Sequence, residues 1–145
     1  VRLIKDAGRK VEVHKVTTED NYILTVFRLP SKSANPKIVF IMHGLESSAA
    51  DFVIGGNGAS LAYLMADNGF DVWLGNARGN IFSQSHKTLS TDSHDFWKFS
   101  FHEIGVYDLP AMIDYALEKG NTTSLTYCGH SQGTTVVFVL LSMRP

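Results

Sequence analysis

The sequence predicts an α/β fold: a mostly parallel sheet with an N-terminal antiparallel hairpin and helices on both faces. Three observations carry that prediction. Two β-rich segments separated by a polar turn open the chain. Apolar strand-like runs then alternate with stretches of helical periodicity, the pattern of parallel strands joined by crossover helices. The last such run leads straight into Gly129-His130-Ser131-Gln132-Gly133, a G-x-S-x-G pentapeptide with an apolar run on each side.

Taken in order, residues 11–16 place apolar side chains at 11, 13 and 16 and read as a first strand. The turn cluster Thr17-Thr18-Glu19-Asp20-Asn21 follows. Residues 22–29, rich in β-branched and aromatic side chains, complete the hairpin. Residues 31–36 form a loop. Residues 38–42 are continuously apolar, as a strand covered on both faces must be. Leu61, Leu64 and Met65 fall at helical spacing within 57–68, and Gly69 closes that helix. Residues 70–74 form another buried strand, ending at Gly75-Asn76-Ala77-Arg78-Gly79, and an irregular stretch runs to about 101. Asp108 is placed to cap a helix with apolar positions Leu109, Met112, Ile113, Ala116 and Leu117. Gly120 ends it. A strand over 125–128 precedes the pentapeptide. The segment after Ser131 is hydrophobic all round; valines at 136, 137 and 139 weaken its helix propensity, yet a buried helix behind the turn is expected. With no repeat, low-complexity tract or linker, residues 1–145 read as one domain.

Hydrophobic residues make up 44% and charged residues 19%, which places the chain among globular sequences. A net charge of -1 argues against electrostatic attraction to nucleic acid or anionic membrane. No apolar run approaches the roughly 20 residues of a membrane span. No signal-peptide pattern opens the chain at Val1, so any targeting segment is expected outside it. The single cysteine, Cys128, cannot form an internal disulfide and reads as a small buried hydrophobe. Asn121-Thr122-Thr123 is an N-glycosylation sequon in a polar loop.

The chemistry concentrates at the pentapeptide. Strand, sharp turn and helix around Ser131 make a nucleophile elbow, in which Gly129 and Gly133 are needed because strand and helix approach closely. Acyl transfer also needs fixed N–H donors about 3 Å from the developing oxyanion. One is the amide after the serine, Gln132. The other belongs on the loop after an earlier buried strand, where His43-Gly44-Leu45 lies: Gly44 lets the backbone bend and Leu45 supplies the N–H. His43 is assigned a structural hydrogen bond in that loop. His130 flanks the serine and is expected to point away from it.

The chain resembles the acid lipases of animals, the group containing gastric and lysosomal acid lipase. The resemblance spans nearly all 145 residues. It rests on Thr17-Thr18-Glu19-Asp20 with Tyr22-Ile23-Leu24, on His43-Gly44-Leu45, on Gly75-Asn76-Ala77-Arg78-Gly79-Asn80, on His86-Lys87, on Phe96-Trp97 with Phe99-Ser100-Phe101, on Tyr107-Asp108-Leu109-Pro110-Ala111, and on the pentapeptide. It implies the N-terminal part of an α/β-hydrolase acting on neutral-lipid esters, such as triacylglycerols or steryl esters, at a lipid–water interface. It further implies a secretory or lysosomal setting and no cofactor. In that pattern Ser131 is the nucleophile, and Leu45 and Gln132 supply the oxyanion amides. The order in this fold is Ser, then Asp or Glu, then His, and residues 132–145 hold none of these three types. The later aspartate and histidine, their strands and the lid are thus expected outside this chain. Alone, the chain is expected to be inactive, with the strand before Ser131 left at an unpaired sheet edge. Another esterase or thioesterase activity, or a truncated non-catalytic product, are the alternative readings.

Other features read as structural. His86, His94 and His102 are eight residues apart, a spacing unsuited to a metal site. Gly55-Gly56-Asn57-Gly58 is a turn before a helix, not a phosphate loop. Residues 96–101 are expected to pack into the core beneath a surface loop, and Arg78 to form a structural ion pair.

Overall fold

The computed structural model describes residues 1–144. Its strands are β1 (Glu12–Thr17), β2 (Ile23–Leu29), β3 (Ile38–Met42), β4 (Asp71–Leu74) and β5 (Thr126–Gly129). They form a sheet in the order β1-β2-β4-β3-β5. β2 is antiparallel to β1 and to β4, whereas β3 is parallel to both β4 and β5. Only β2 therefore runs against the other four, giving the expected hairpin beside parallel strands.

The helices are α1 (Arg2–Asp6), α2 (Leu61–Asp67), α3 (Phe101–Glu103), α4 (Leu109–Gly120) and α5 (Gln132–Met143). Ile4 of α1 and Ala62 and Tyr63 of α2 pack on one sheet face with Val39, Ile41, Val72 and Leu74. Leu109, Met112 and Ala116 of α4 and Val136 of α5 pack on the other with Ile38, Phe40, Met42 and Trp73. Alternate residues of β3 thus enter opposite cores, which is why its sequence is apolar without a break. Each such side chain contributes on the order of 1.5–3 kcal/mol by burial. The register sets Met42 beside Gly129 and Ile41 beside both Cys128 and Leu74. The chain segments leaving β3, β4 and β5 consequently emerge together at the carboxyl end of the sheet.

Several local expectations are corrected. In β1, Val13 is half exposed while Glu12, His14 and Val16 turn inward. The inward face there is polar: His14 meets Glu12 and the Tyr115 hydroxyl, and Glu12 also pairs with Arg28. α2 begins only after Ser60, because Gly56 and Gly58 adopt positive φ before it. Its buried residues are Ala62 and Tyr63, and Leu64 is exposed. Asp108 does not cap α4. It lies in a π-helical turn, Ile104–Asp108, that joins α3 to α4, and its carboxylate is taken by Arg78. The helix start is capped instead by Ser100, in a reciprocal capping box with Glu103. α5 is not a buried helix. Only Gly133 and Val136 are buried, while Phe138, Leu141 and Met143 are 66%, 58% and 56% exposed. One flank of α5 packs on the sheet and the π-helical turn; among the described residues nothing lies over the other. Within 96–101, Phe96 is core but Trp97 and Phe101 are exposed.

Candidate active site

Ser131 sits between β5 and α5 with φ 51° and ψ −118°, a combination that L-residues rarely adopt. Close packing imposes it. A Cβ on Gly133 would lie 2.5 Å from the Met42 carbonyl oxygen, and one on Gly129 would lie 2.7 Å from the Gly133 backbone. Short-range bonds tie the turn: the Gly133 N–H donates to the His130 carbonyl and the Thr134 N–H to the Ser131 carbonyl, both at 2.8 Å. The His130 N–H reaches across to the Met42 carbonyl at 3.0 Å. The half-buried Tyr127 hydroxyl donates to the Gly133 carbonyl at 2.6 Å, and burial raises its pKa. The Ser131 side chain is exposed at the apex.

Facing it is the loop after β3. A Cβ on Gly44 would lie 3.1 Å from the Ser131 Cβ and 3.4 Å from His130 Nδ1, so these two loops touch. Neither the Leu45 nor the Gln132 N–H has a hydrogen-bond partner among the described residues. His43, 4% exposed, holds this loop from behind. Its Nε2 accepts from the Ala77 N–H and the Asn80 amide, each at 3.1 Å, and its Nδ1 lies 2.7 Å from the Gly44 carbonyl oxygen. Burial pushes the imidazole pKa down, partly offset by the bond to Gly44. Both ring nitrogens of His43 are thus occupied by hydrogen-bond partners within the loop and the segment after β4. No histidine nitrogen or carboxylate hydrogen-bonds the Ser131 hydroxyl among the described residues.

The segment after β4 forms the floor. Arg78, 3% exposed, places its guanidinium between Asp108 and Asp20, with Nε–Oδ1 at 2.8 Å and Nη1–Oδ2 at 2.5 Å respectively. It lies 3.9 Å over the Tyr22 ring. Burial opposes its charge, but hydrogen bonds donated to Asp20 and the charge of Asp108 hold its pKa above the ordinary arginine value. Burial pushes the Asp108 carboxyl pKa up, against the pull of the Arg78 charge. This is the structural ion pair expected, tying the β1–β2 turn to the π-helical turn. Above the floor, a cleft of about 400 Å³ is lined by Leu45, Ala77, Ile81, Trp97, Phe99 and Gln132 among others. Ile81 and Leu45 are 74% and 67% exposed, so the cleft has an apolar rim.

A family model described as alpha/beta hydrolase fold matches residues 37–145. The chain belongs to this family. A second model, described as a partial alpha/beta-hydrolase lipase region, matches residues 1–56 of this α/β-hydrolase. It is 55% identical to Lipase 1 of Drosophila melanogaster over 144 residues, covering 99% of this chain and 32% of the relative. It is 45% identical to gastric triacylglycerol lipase of Bos taurus over 150 residues, covering 99% of this chain and 38% of that one. The chain therefore spans about a third of the length of these relatives. Among solved structures, an esterase from Pyrococcus furiosus superposes with a TM-score of 0.69 at 20% identity, covering 97% of this chain and 50% of that one. An epoxide hydrolase from Vigna radiata gives 0.59 at 17% identity, over 94% and 36%. At such identities these two share the fold.

The structure brings Ser131, Gln132, Gly44 and Leu45 together, with His43 behind and His130 beside them. Asn121 is elsewhere: exposed, left-handed at φ 48°, and at the amino end of β5. His86 donates from Nε2 to the Asp20 carbonyl and accepts at Nδ1 from the Thr88 and Leu89 N–H groups, which fixes a loop. Among the described residues no three His, Cys, Asp or Glu side chains are grouped to hold a metal ion. Cys128 is half-buried. Sequence reasoning did not single out Asn76 and Asn80. Asn76 is fully buried, accepting from the Ala49 N–H and donating to the Thr25 carbonyl. The available signal was two asparagines four apart on a turn after a buried strand, where an unpaired amide would be expensive.

Proposed function

We propose that the complete protein is a serine-dependent lipase that hydrolyses neutral-lipid carboxylic esters through an acyl-enzyme. The observation that carries this reading is the strained backbone of Ser131, an exposed residue at the apex of the elbow whose Cβ lies against Gly44. Ser131 Oγ attacks the ester carbonyl carbon and gives its proton to a general base. The carbonyl oxygen becomes an oxyanion in front of the unpaired Leu45 and Gln132 amides, each such donor being worth about 10²–10³ in rate. Collapse expels the alcohol, which takes up the proton, and leaves the acyl group on Ser131; water then releases the acid by the reverse sequence. Neither His43 nor His130 is arranged as the base, so the reading places that histidine and its orienting carboxylate outside residues 1–144.

Triacylglycerol or steryl ester is the proposed substrate class. The apolar rim at Leu45, Ile81 and Trp97 supports it, as does the identity to a triacylglycerol lipase. We place the protein in the secretory or lysosomal pathway with a glycan on Asn121. That side chain makes no hydrogen bond among the described residues and lies at the opposite end of β5 from Ser131. Hydrolysis of emulsified triacylglycerol by the complete protein, abolished in Ser131→Ala with the melting temperature retained, is the expected result. Retained turnover in Ser131→Ala ends the proposal.

A further inference from the structure

The hydrogen bonds behind the Gly44–Leu45 peptide admit one arrangement of protons. The Ala77 N–H is a backbone donor, so the His43 Nε2 it meets at 3.1 Å must be an acceptor. Asn80 repeats the instruction. Its Oδ1 accepts from the Phe82 N–H at 2.9 Å, which turns its Nδ2 toward three acceptors: Asn76 Oδ1 at 3.0 Å, His43 Nε2 at 3.1 Å and, more distantly, the Ser47 carbonyl at 3.5 Å. Asn76 Oδ1 is itself fixed as an acceptor by the Ala49 N–H at 3.0 Å. With Nε2 receiving two donors, the single proton of the neutral ring sits on Nδ1 and is donated to the Gly44 carbonyl at 2.7 Å. In a trans peptide the C=O and the next N–H point to opposite sides. Pinning the Gly44 carbonyl to His43 therefore turns the Leu45 N–H away from the imidazole, where it stays unpaired at the loop that touches Ser131.

We propose that Asn80 is a positioning residue for the oxyanion peptide: with the Ala77 N–H it holds His43 in the Nδ1–H form and fixes the ring in place, and that arrangement orients the Leu45 amide. The proposal rests on the reading of Ser131 and Leu45 given above. The relay moves no proton during turnover. It removes the freedom of one peptide plane to rotate, which is how a donor is kept aimed before charge develops. Asn80 also lines the cleft beside Ile81, so the split between kcat and KM is the readout: a positioning role lowers kcat and leaves KM in place.

The test uses protein from the full coding sequence, a soluble p-nitrophenyl ester, and the variants Asn80→Leu and Asn80→Asp. The first deletes the donor; the second keeps the shape but sets an acceptor against Nε2, which draws a proton onto Nε2 in competition with the Ala77 N–H. In both, kcat is expected to fall by about 10- to 100-fold with KM and melting temperature near wild type. The ¹⁵N NMR shifts of His43 should show a protonated Nδ1 in the wild type and movement of the proton in Asn80→Asp. The wild-type shifts stand whether or not a variant folds. Unchanged kcat in both variants, a parallel loss of kcat, KM and melting temperature, or a wild-type proton on Nε2 would each overturn the proposal. Turnover by Ser131→Ala in the same assay would instead overturn the nucleophile assignment beneath it, and the two failures are told apart by that one control.

Discussion

The elbow over residues 129–133 and the loop over residues 43–48 meet at the same end of the sheet, yet they are held differently. The elbow is held by exclusion: the Met42 carbonyl leaves no room for a Cβ at Gly133, and the bonds that tie the turn are short-range or run from the adjacent strand. The loop is held by side chains from a separate segment: His43 is fixed by Ala77 and Asn80, and Ala49 by Asn76, across about 30 positions of sequence. A steric constraint can be written in glycines within five residues. A polar constraint of this kind is spread over the chain and exists only once β3 and β4 are paired. The contrast predicts that the two walls break by different substitutions.

The largest loss is expected at the floor of the polar wall. Arg78→Ala leaves Asp108 buried without its partner and should reduce stability by about 3–5 kcal/mol in urea unfolding; a loss below about 1 kcal/mol would mean the cluster is solvated. Next comes the steric wall. Gly133→Ala must displace the Met42 carbonyl and should reduce stability by about 1–3 kcal/mol, and a near-neutral result would show that the elbow relaxes. Ser131→Ala, by contrast, removes only the hydroxyl at the apex and is expected to leave stability nearly unchanged.

A gentler perturbation of the polar wall is acid. His43 is kept neutral by burial, so its folded pKa lies below the ordinary value of about 6.5. Below pH 6.5 the unfolded chain binds a proton that the folded chain does not, so this contribution, present above that pH, is lost as the pH falls toward the folded value. The slope is at most about 1.4 kcal/mol per pH unit, and His43→Asn should flatten it in chemical unfolding followed from pH 7 to 5. An unchanged slope would assign the acid sensitivity to other groups. The smallest effects lie away from both walls. Phe138→Ser and Leu141→Ser on the exposed flank of α5 should change the stability of the 145-residue chain by less than about 0.5 kcal/mol, while reducing self-association in sedimentation. A larger loss of stability would mean that flank is packed.

The same contrast explains what could be read in advance. β3 was legible to the residue because both of its faces are buried, and the elbow because glycine is the one residue its packing admits. Val13 misled because β1 lies at the sheet edge with a polar inward face, so its valine pattern has the wrong parity. Asp108 has the composition of a cap, but the π-helical turn carries the helix through it and Arg78 takes its carboxylate. The apolar run after Ser131 shows that much of α5 is hydrophobic but not which of its faces is covered. Asn76 and Asn80 were not singled out because, apart from each other, their partners are backbone groups and a ring nitrogen, so their spacing of four on a turn after a buried strand was the one mark they left in the sequence.

The central claim is that Ser131 is an activated nucleophile in the complete protein. The most direct measurement is to treat that protein with a fluorophosphonate and locate the adduct by mass spectrometry. The account predicts a single labelled peptide containing Ser131, with no labelling of Ser131→Ala or of the heat-denatured protein. Adduct on another serine, or none at Ser131 in a folded protein that still turns over ester, would contradict it.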